Sequence, residues 1–192
     1  MHKIKISLSV FGALMIASLF VTHSYISIAA LVAAALHELG HVAAARICSI
    51  RLTELRLGIF GAALRPADTL CSYGRERAMT AAGPLVNLIS AGIALALPIG
   101  GEAVGMFVAA SLFLGLLNLL PINELDGGRI LSCLLSYRSP DAARRVCRAV
   151  SAVALVSLWM LSVYLMLRCA TSLSLFVFSS SLFCRIFTSR KN

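Results

Sequence analysis

His37 and His41 stand four residues apart with Glu38 between them, in the sequence His-Glu-Leu-Gly-His inside an apolar run from Tyr25 to Ile47. On a helix, positions i and i+4 share a face, so the two imidazoles aim at one point, and Glu38 can reach a water held there. Two imidazole ligands and a carboxylate base are the parts of a hydrolytic zinc centre. The zinc would lower the pKa of its water towards about 7, and Glu38 would accept the proton and deliver it to the leaving amine. Such a centre takes three protein ligands and keeps one position open for water, so a third ligand must come from elsewhere. The other carboxylates are Glu54, Asp68, Glu76, Glu102, Glu124, Asp126 and Asp141. Asp126 is the best placed, because Pro121 stops the preceding helix and Gly127-Gly128 permits a tight turn. Asn118 and Asn87 are the polar groups expected to hold substrate backbone or a developing oxyanion. Glu124 is read as a solvated neighbour of Asp126, and His2 and His23 as surface residues.

The elements that must position these groups are hydrocarbon-compatible. Of 192 residues, 59% are hydrophobic and only 13% charged, which excludes an ordinary soluble domain. Apolar runs long enough to cross a bilayer as helices recur at about 4–21, 25–47, 78–97, 103–120 and 149–167, with a shorter, Ser-rich one at 171–187. Residues 4–21 resemble a signal peptide's basic and hydrophobic regions but lack a small-residue cleavage site, so they read as a retained span. Between the second and third runs, IRLTELRLG alternates apolar and polar residues and ends near Gly58 and Gly61, which predicts a short strand or hairpin. The expected fold is therefore an all-α polytopic membrane protein: about six transmembrane helices, with a short β hairpin at the membrane face after the second. A single domain over 1–192 is expected, with its catalytic core at about 25–129 and accessory helices in 1–24 and 140–192. No repeat, low-complexity linker or appended soluble domain is visible.

Charge sets the orientation. The net charge of +9 does not point to nucleic acid, because the basic residues lie between the apolar runs. They read as topology determinants and contacts to anionic lipid. With six spans and a cytoplasmic N-terminus, residues 46–77, 121–148 and 185–192 share one side, and of the 17 Lys and Arg only Arg168 falls outside it. Both termini and the His37–His41 pair then lie toward the cytoplasm, and Asp126 comes to the same depth. The six cysteines form no Cys-x-x-Cys pair, so neither a disulfide framework nor a thiolate metal site is implied.

The His-Glu-Leu-Gly-His element within a span, together with Asn118-Leu119-Leu120-Pro121-Ile122-Asn123-Glu124-Leu125-Asp126-Gly127-Gly128, resembles the site-2 protease family of intramembrane zinc metalloproteases. Gly83, Pro84 and Asn87 resemble that family too. The resemblance covers about 31–129. It implies one zinc ion held by His37, His41 and Asp126, with Glu38 as catalytic base and Asn118 as a substrate contact. It implies a membrane-embedded or membrane-associated protein as substrate and a membrane protein as a possible regulator. The six-span layout looks most like the branch that includes the sporulation protease processing a pro-sigma factor, without that branch's CBS domain.

Two other classes compete. A transition-metal transporter also places His and carboxylates on membrane helices, but it needs a polar path with further ligands near both faces. Runs three, five and six carry no His or acidic residue. A catalytically silent scaffold would be expected to have lost Glu38 or a ligand, and every member is present. A further expectation concerns residues 51–57: as an exposed edge, that strand could pair with an extended substrate segment.

Overall fold

A computed structural model describes residues 5–8, 25–50, 52–58, 61–66, 72–98, 100–136, 139–169 and 179–182. The chain divides into two compact units, Met1–Leu119 and Leu120–Asn192. The first contains three mutually packed helices, α1 (Tyr25–Ile47), α2 (Tyr73–Ala96) and α3 (Glu102–Asn118), and a small sheet. Its packing is inverted relative to a soluble core. On α1 the buried positions are Ala29, Ala33, His37, Gly40, His41 and Ala45, whereas Ile28, Leu31, Val32 and Leu39 are exposed. α2 repeats the pattern with Gly83, Pro84, Asn87 and Ala91 inside and Leu85, Ile89 and Ile93 outside. Small residues between helices let backbones approach, and large apolar ones outside suit a lipid solvent.

The closest approaches fall at glycines. A Cβ on Gly40 would lie 2.9 Å from the Ala82 carbonyl oxygen and 3.0 Å from Val86 Cγ2, so α1 and α2 touch at backbone distance. On the other side of α2, a Cβ on Gly115 of α3 would lie 3.2 Å from the Pro84 carbonyl oxygen and 3.3 Å from Asn87 Cβ. Gly40→Ala should therefore lower the stability of the unit by about 1–3 kcal/mol, because a carbonyl cannot yield as a side chain can. Thermal unfolding in detergent would check this.

α1 ends in a left-handed residue, Ser49 at φ 54, with the Ile50 N–H donating to the Ala45 carbonyl (2.8 Å), the closing pattern of a Schellman motif. The chain then enters the sheet, ordered β1 (Lys5–Leu8), β2 (Leu52–Gly58), β3 (Gly61–Pro66). β2 and β3 are antiparallel, with Gly58 opposite Gly61, and β1 runs parallel to β2, with Lys5 opposite Glu54. This corrects the expected first span. Lys5–Leu8 is extended and hydrogen-bonded rather than helical, so a span cannot begin at residue 4. The alternation Lys-Ile-Ser-Leu suits a strand, but its partner lies some fifty residues away in sequence. Residues 9–24 lie outside the described residues.

In the second unit, α4 (Asp126–Ser136) packs on α5 (Pro140–Cys169). α5 starts well before the expected boundary near 149. The Ala143 N–H donates to the Ser139 carbonyl (2.9 Å), which places Pro140 at the first helical position, where its missing N–H costs nothing. The basic residues Arg144, Arg145 and Arg148, placed between apolar runs by the sequence, are thus part of the helix. Likewise α2 begins at Tyr73, with Arg75, Glu76 and Arg77 in its first turns. This puts Gly83-Pro84 in mid-helix rather than at its start. Of 171–187 only 179–182 are described, as helix, with the Ser179 and Ser162 hydroxyls 3.0 Å apart.

Among the described residues, α1, α2 and the stretch Pro140–Arg168 are long and apolar enough to cross a membrane, and α3 is a shorter apolar helix. α3 has 17 residues, about 25 Å at 1.5 Å per residue, somewhat under a typical hydrocarbon core.

Candidate metal centre

The i, i+4 spacing on α1 brings the two imidazoles together inside the first unit. Both are buried, their Nε2 atoms are 3.1 Å apart, and the rings meet at 87° with centroids 4.7 Å apart. The other nitrogen of His41, Nδ1, lies 2.9 Å from the Met79 carbonyl oxygen on α2. A carbonyl only accepts, so Nδ1 carries the proton and Nε2 keeps its lone pair, the form that ligates a metal. Two nitrogens on one tetrahedral zinc at 2.0–2.1 Å would be about 3.3 Å apart. The observed separation fits.

Gly83 provides the space for this arrangement. A Cβ there would fall onto the His41 ring, meeting Nε2, Cε1 and Cδ2. Pro84 follows it and withholds an N–H from the Thr80 carbonyl, loosening the helix on the side that receives the imidazole. Glu38 is half-buried at the next position around α1. Asn87, one turn beyond Gly83 on the same face of α2, is fully buried. Neither polar atom of its amide has a hydrogen-bond partner among the described residues. Leaving such an amide unpaired costs about 1–3 kcal/mol per group, so the position suits a further polar partner. Asn118 ends α3, where its Nδ2–H donates to the Leu114 carbonyl (3.0 Å) in a bond within its own helix.

In the second unit Asp126 is the first residue of α4 and is buried together with Gly127 and Gly128. The turn leading to it is tight: the Ile122 N–H donates to the Leu120 carbonyl (2.7 Å) and the Leu125 N–H to the Ile122 carbonyl (2.8 Å). A Cβ on Gly128 would collide with the Ile122 carbonyl, so only glycine fits there. Glu124 is not the solvated neighbour expected from sequence. It is half-buried, and its Oε2 is covered without a hydrogen-bond partner among the described residues. His2 and His23 lie outside the described residues. Cys133 and Cys147 are buried and Cys48 is half-buried, and none of the three forms a disulfide.

What sequence reasoning missed is the backbone: nothing in the residue types of α2 announces that the Met79 carbonyl orients His41. Gly83-Pro84 was the available signal, being a pair that opens space in a helix.

The family model described as peptidase family M50 matches residues 25–102 and 101–161, most of the chain, including His37, Glu38, His41, Asn87, Asn118 and Asp126. The chain belongs to peptidase family M50. Among similar proteins, a putative zinc metalloprotease, Rip3 of Mycobacterium tuberculosis, is 34% identical over 133 residues, 62% of this chain and 34% of that protein. A putative zinc metalloprotease, sll0528 of Synechocystis, is 31% identical over 106 residues, 52% of this chain and 28% of that protein. The chain thus spans about a third of the length of these curated M50 relatives. In fold it is similar to the site-2 protease from Methanocaldococcus jannaschii, with a TM-score of 0.62 at 24% identity, covering 95% of this chain and 89% of that one. Family and apolar helices together make this M50 chain a membrane protein.

Proposed function

We propose that this M50 chain is an intramembrane zinc metalloprotease that hydrolyses a peptide bond in or near the transmembrane segment of a membrane protein. The observation that carries the reading is the His37–His41 pair, buried in a lipid-compatible bundle with the His41 tautomer set for metal binding. Asp126 is the third ligand. Its support is that His37, His41 and Asp126 are all buried and each offers one atom that could ligate a metal ion, and that one family model runs through both units. On this reading the two units form one protease domain.

Bound zinc supplies the Lewis acid that activates a water and polarises the scissile carbonyl. His37 and His41 would hold it through Nε2, and Met79 keeps the His41 ring in place through Nδ1. Glu38 takes the proton of the attacking water and returns it to the leaving amine. Asn87, with an amide awaiting partners, and Asn118 hold the extended main chain of the substrate or the oxyanion that develops on it. The strand expected as an exposed edge, β2, is instead the central strand of the sheet, so the outer strands β1 and β3 are those with which such an extended segment could pair. Membrane-tethered pro-sigma or anti-sigma factors are within this substrate class, and a membrane protein is a natural regulator. A layout of about six spans with the site toward the cytoplasm is supported by the charge distribution. It is also supported by β1 lying beside β2, just past the C-terminal end of α1, because Tyr25 is at the opposite end of that helix, about 34 Å away.

The test is cleavage of candidate single-span proteins by the purified protein in liposomes, together with its metal content. One zinc per chain is expected. Cleavage should fall to background on chelation and return with added zinc. Cleavage that survives removal of the metal would reject the reading. Zinc flux into the liposomes would favour the transporter alternative.

A further inference from the structure

The second unit contains a polar contact that the proposed chemistry does not use. Ser151, in the middle of α5, is 1% exposed, and its Oγ accepts the backbone N–H of Asn123 at 3.0 Å. Asn123 lies in the turn that delivers Asp126 to the start of α4. That turn is fixed from one side by Gly128, whose Cα packs under the Ile122 carbonyl and the Asn123 backbone. Within the turn, the Ile122 and Leu125 N–H groups bond to carbonyls of the turn itself. The Asn123 N–H instead bonds outside the turn, to a helix a separate stretch of chain away.

From this we infer that Ser151 is a positioning residue for the metal centre: its hydroxyl pins the turn to α5 and so sets where the Asp126 carboxylate stands. The inference rests on the reading of Asp126 as a zinc ligand. The physical case has two parts. A buried serine in an apolar helix is retained against the cost of dehydrating its hydroxyl, which a partner must offset. A backbone N–H in a turn also needs an acceptor, and the one supplied here comes from another element. With the pin removed, the turn keeps its internal bonds and its glycine but loses its anchor on α5. The effect falls on the placement of the carboxylate rather than on the fold. Groups that orient metal ligands from behind typically change affinity by 10–100-fold.

The experiment measures zinc affinity of the full chain in detergent by competition with a chromophoric chelator, alongside helix content and thermal unfolding of the metal-free protein. Ser151→Ala should weaken zinc binding about tenfold with metal-free unfolding unchanged, and lower kcat with KM unchanged. Ser151→Thr, which keeps the hydroxyl, should recover most of the affinity. Ser162→Ala is the control, a buried serine of the same helix whose hydroxyl contacts Ser179 instead; it should leave affinity as in wild type. Equal affinity in Ser151→Ala and wild type overturns the inference. An equal loss in the Ser151 and Ser162 variants does so as well, because it would mark a general weakening of α5. Asp126→Ala separates the two readings. Lost zinc binding there with an unaffected Ser151→Ala refutes the positioning role alone, whereas retained zinc removes Asp126 as a ligand and the inference with it.

Discussion

Glu38→Gln should reduce peptide-bond cleavage by about 10²–10⁴-fold while leaving zinc bound at one ion per chain. The glutamine has nearly the same shape and still fits its half-buried position on α1, but it cannot take a proton from water. His37 and His41 keep their spacing and His41 keeps its bond to Met79, so the candidate ligand pair is untouched. The split between activity and metal content is the diagnostic feature. Reconstituted enzyme and a single-span substrate are followed by gel, with zinc measured on the same sample. A variant that cuts at the wild-type rate would remove Glu38 from the chemistry. One that loses zinc would make it a ligand instead.

Gly83→Ala should be nearly as damaging although it removes no functional group. The added methyl would occupy the position of the His41 imidazole, and neither side can give way easily. The ring is held at Nδ1 by a backbone carbonyl, and the methyl is fixed to a helix wedged between α1 and α3. The expected result is a fall in zinc affinity of 10-fold or more, with loss of cleavage and about 1–3 kcal/mol of lost stability from overpacking. Gly92 of the same helix supplies the comparison, since among the described residues a Cβ there meets nothing within 4 Å. Gly92→Ala should bind zinc normally and unfold at the same temperature or slightly higher, because alanine favours the helix. Equal zinc affinity in the two variants would show that the His41 ring is free to move, against the packing described above.

Much of the site was legible in the sequence because its chemistry is local. His37 and His41 meet through helical periodicity, which any helix over those residues would impose, and Glu38 follows by adjacency. Asp126 stood out through Pro121 and the paired glycines, whose turn chemistry is likewise a matter of a few consecutive residues. Element ends were harder. Pro140 started α5 ahead of its apolar stretch, and α2 began among charged residues, since helix starts follow capping and backbone bonds rather than hydropathy.

Sequence alone, then, determined the meeting of His37 and His41, the adjoining Glu38 and their apolar setting, because those depend on spacing within single elements. Only the tertiary structure decided the rest. It joined Lys5–Leu8 to a strand some fifty residues on, aimed the Met79 carbonyl at His41, emptied the space over Gly83, buried the Asn87 amide without a hydrogen-bond partner among the described residues and tied Asn123 to Ser151. Each of these depends on which backbone lies against which. Side-chain types along one segment carry no record of a carbonyl or a void supplied by another.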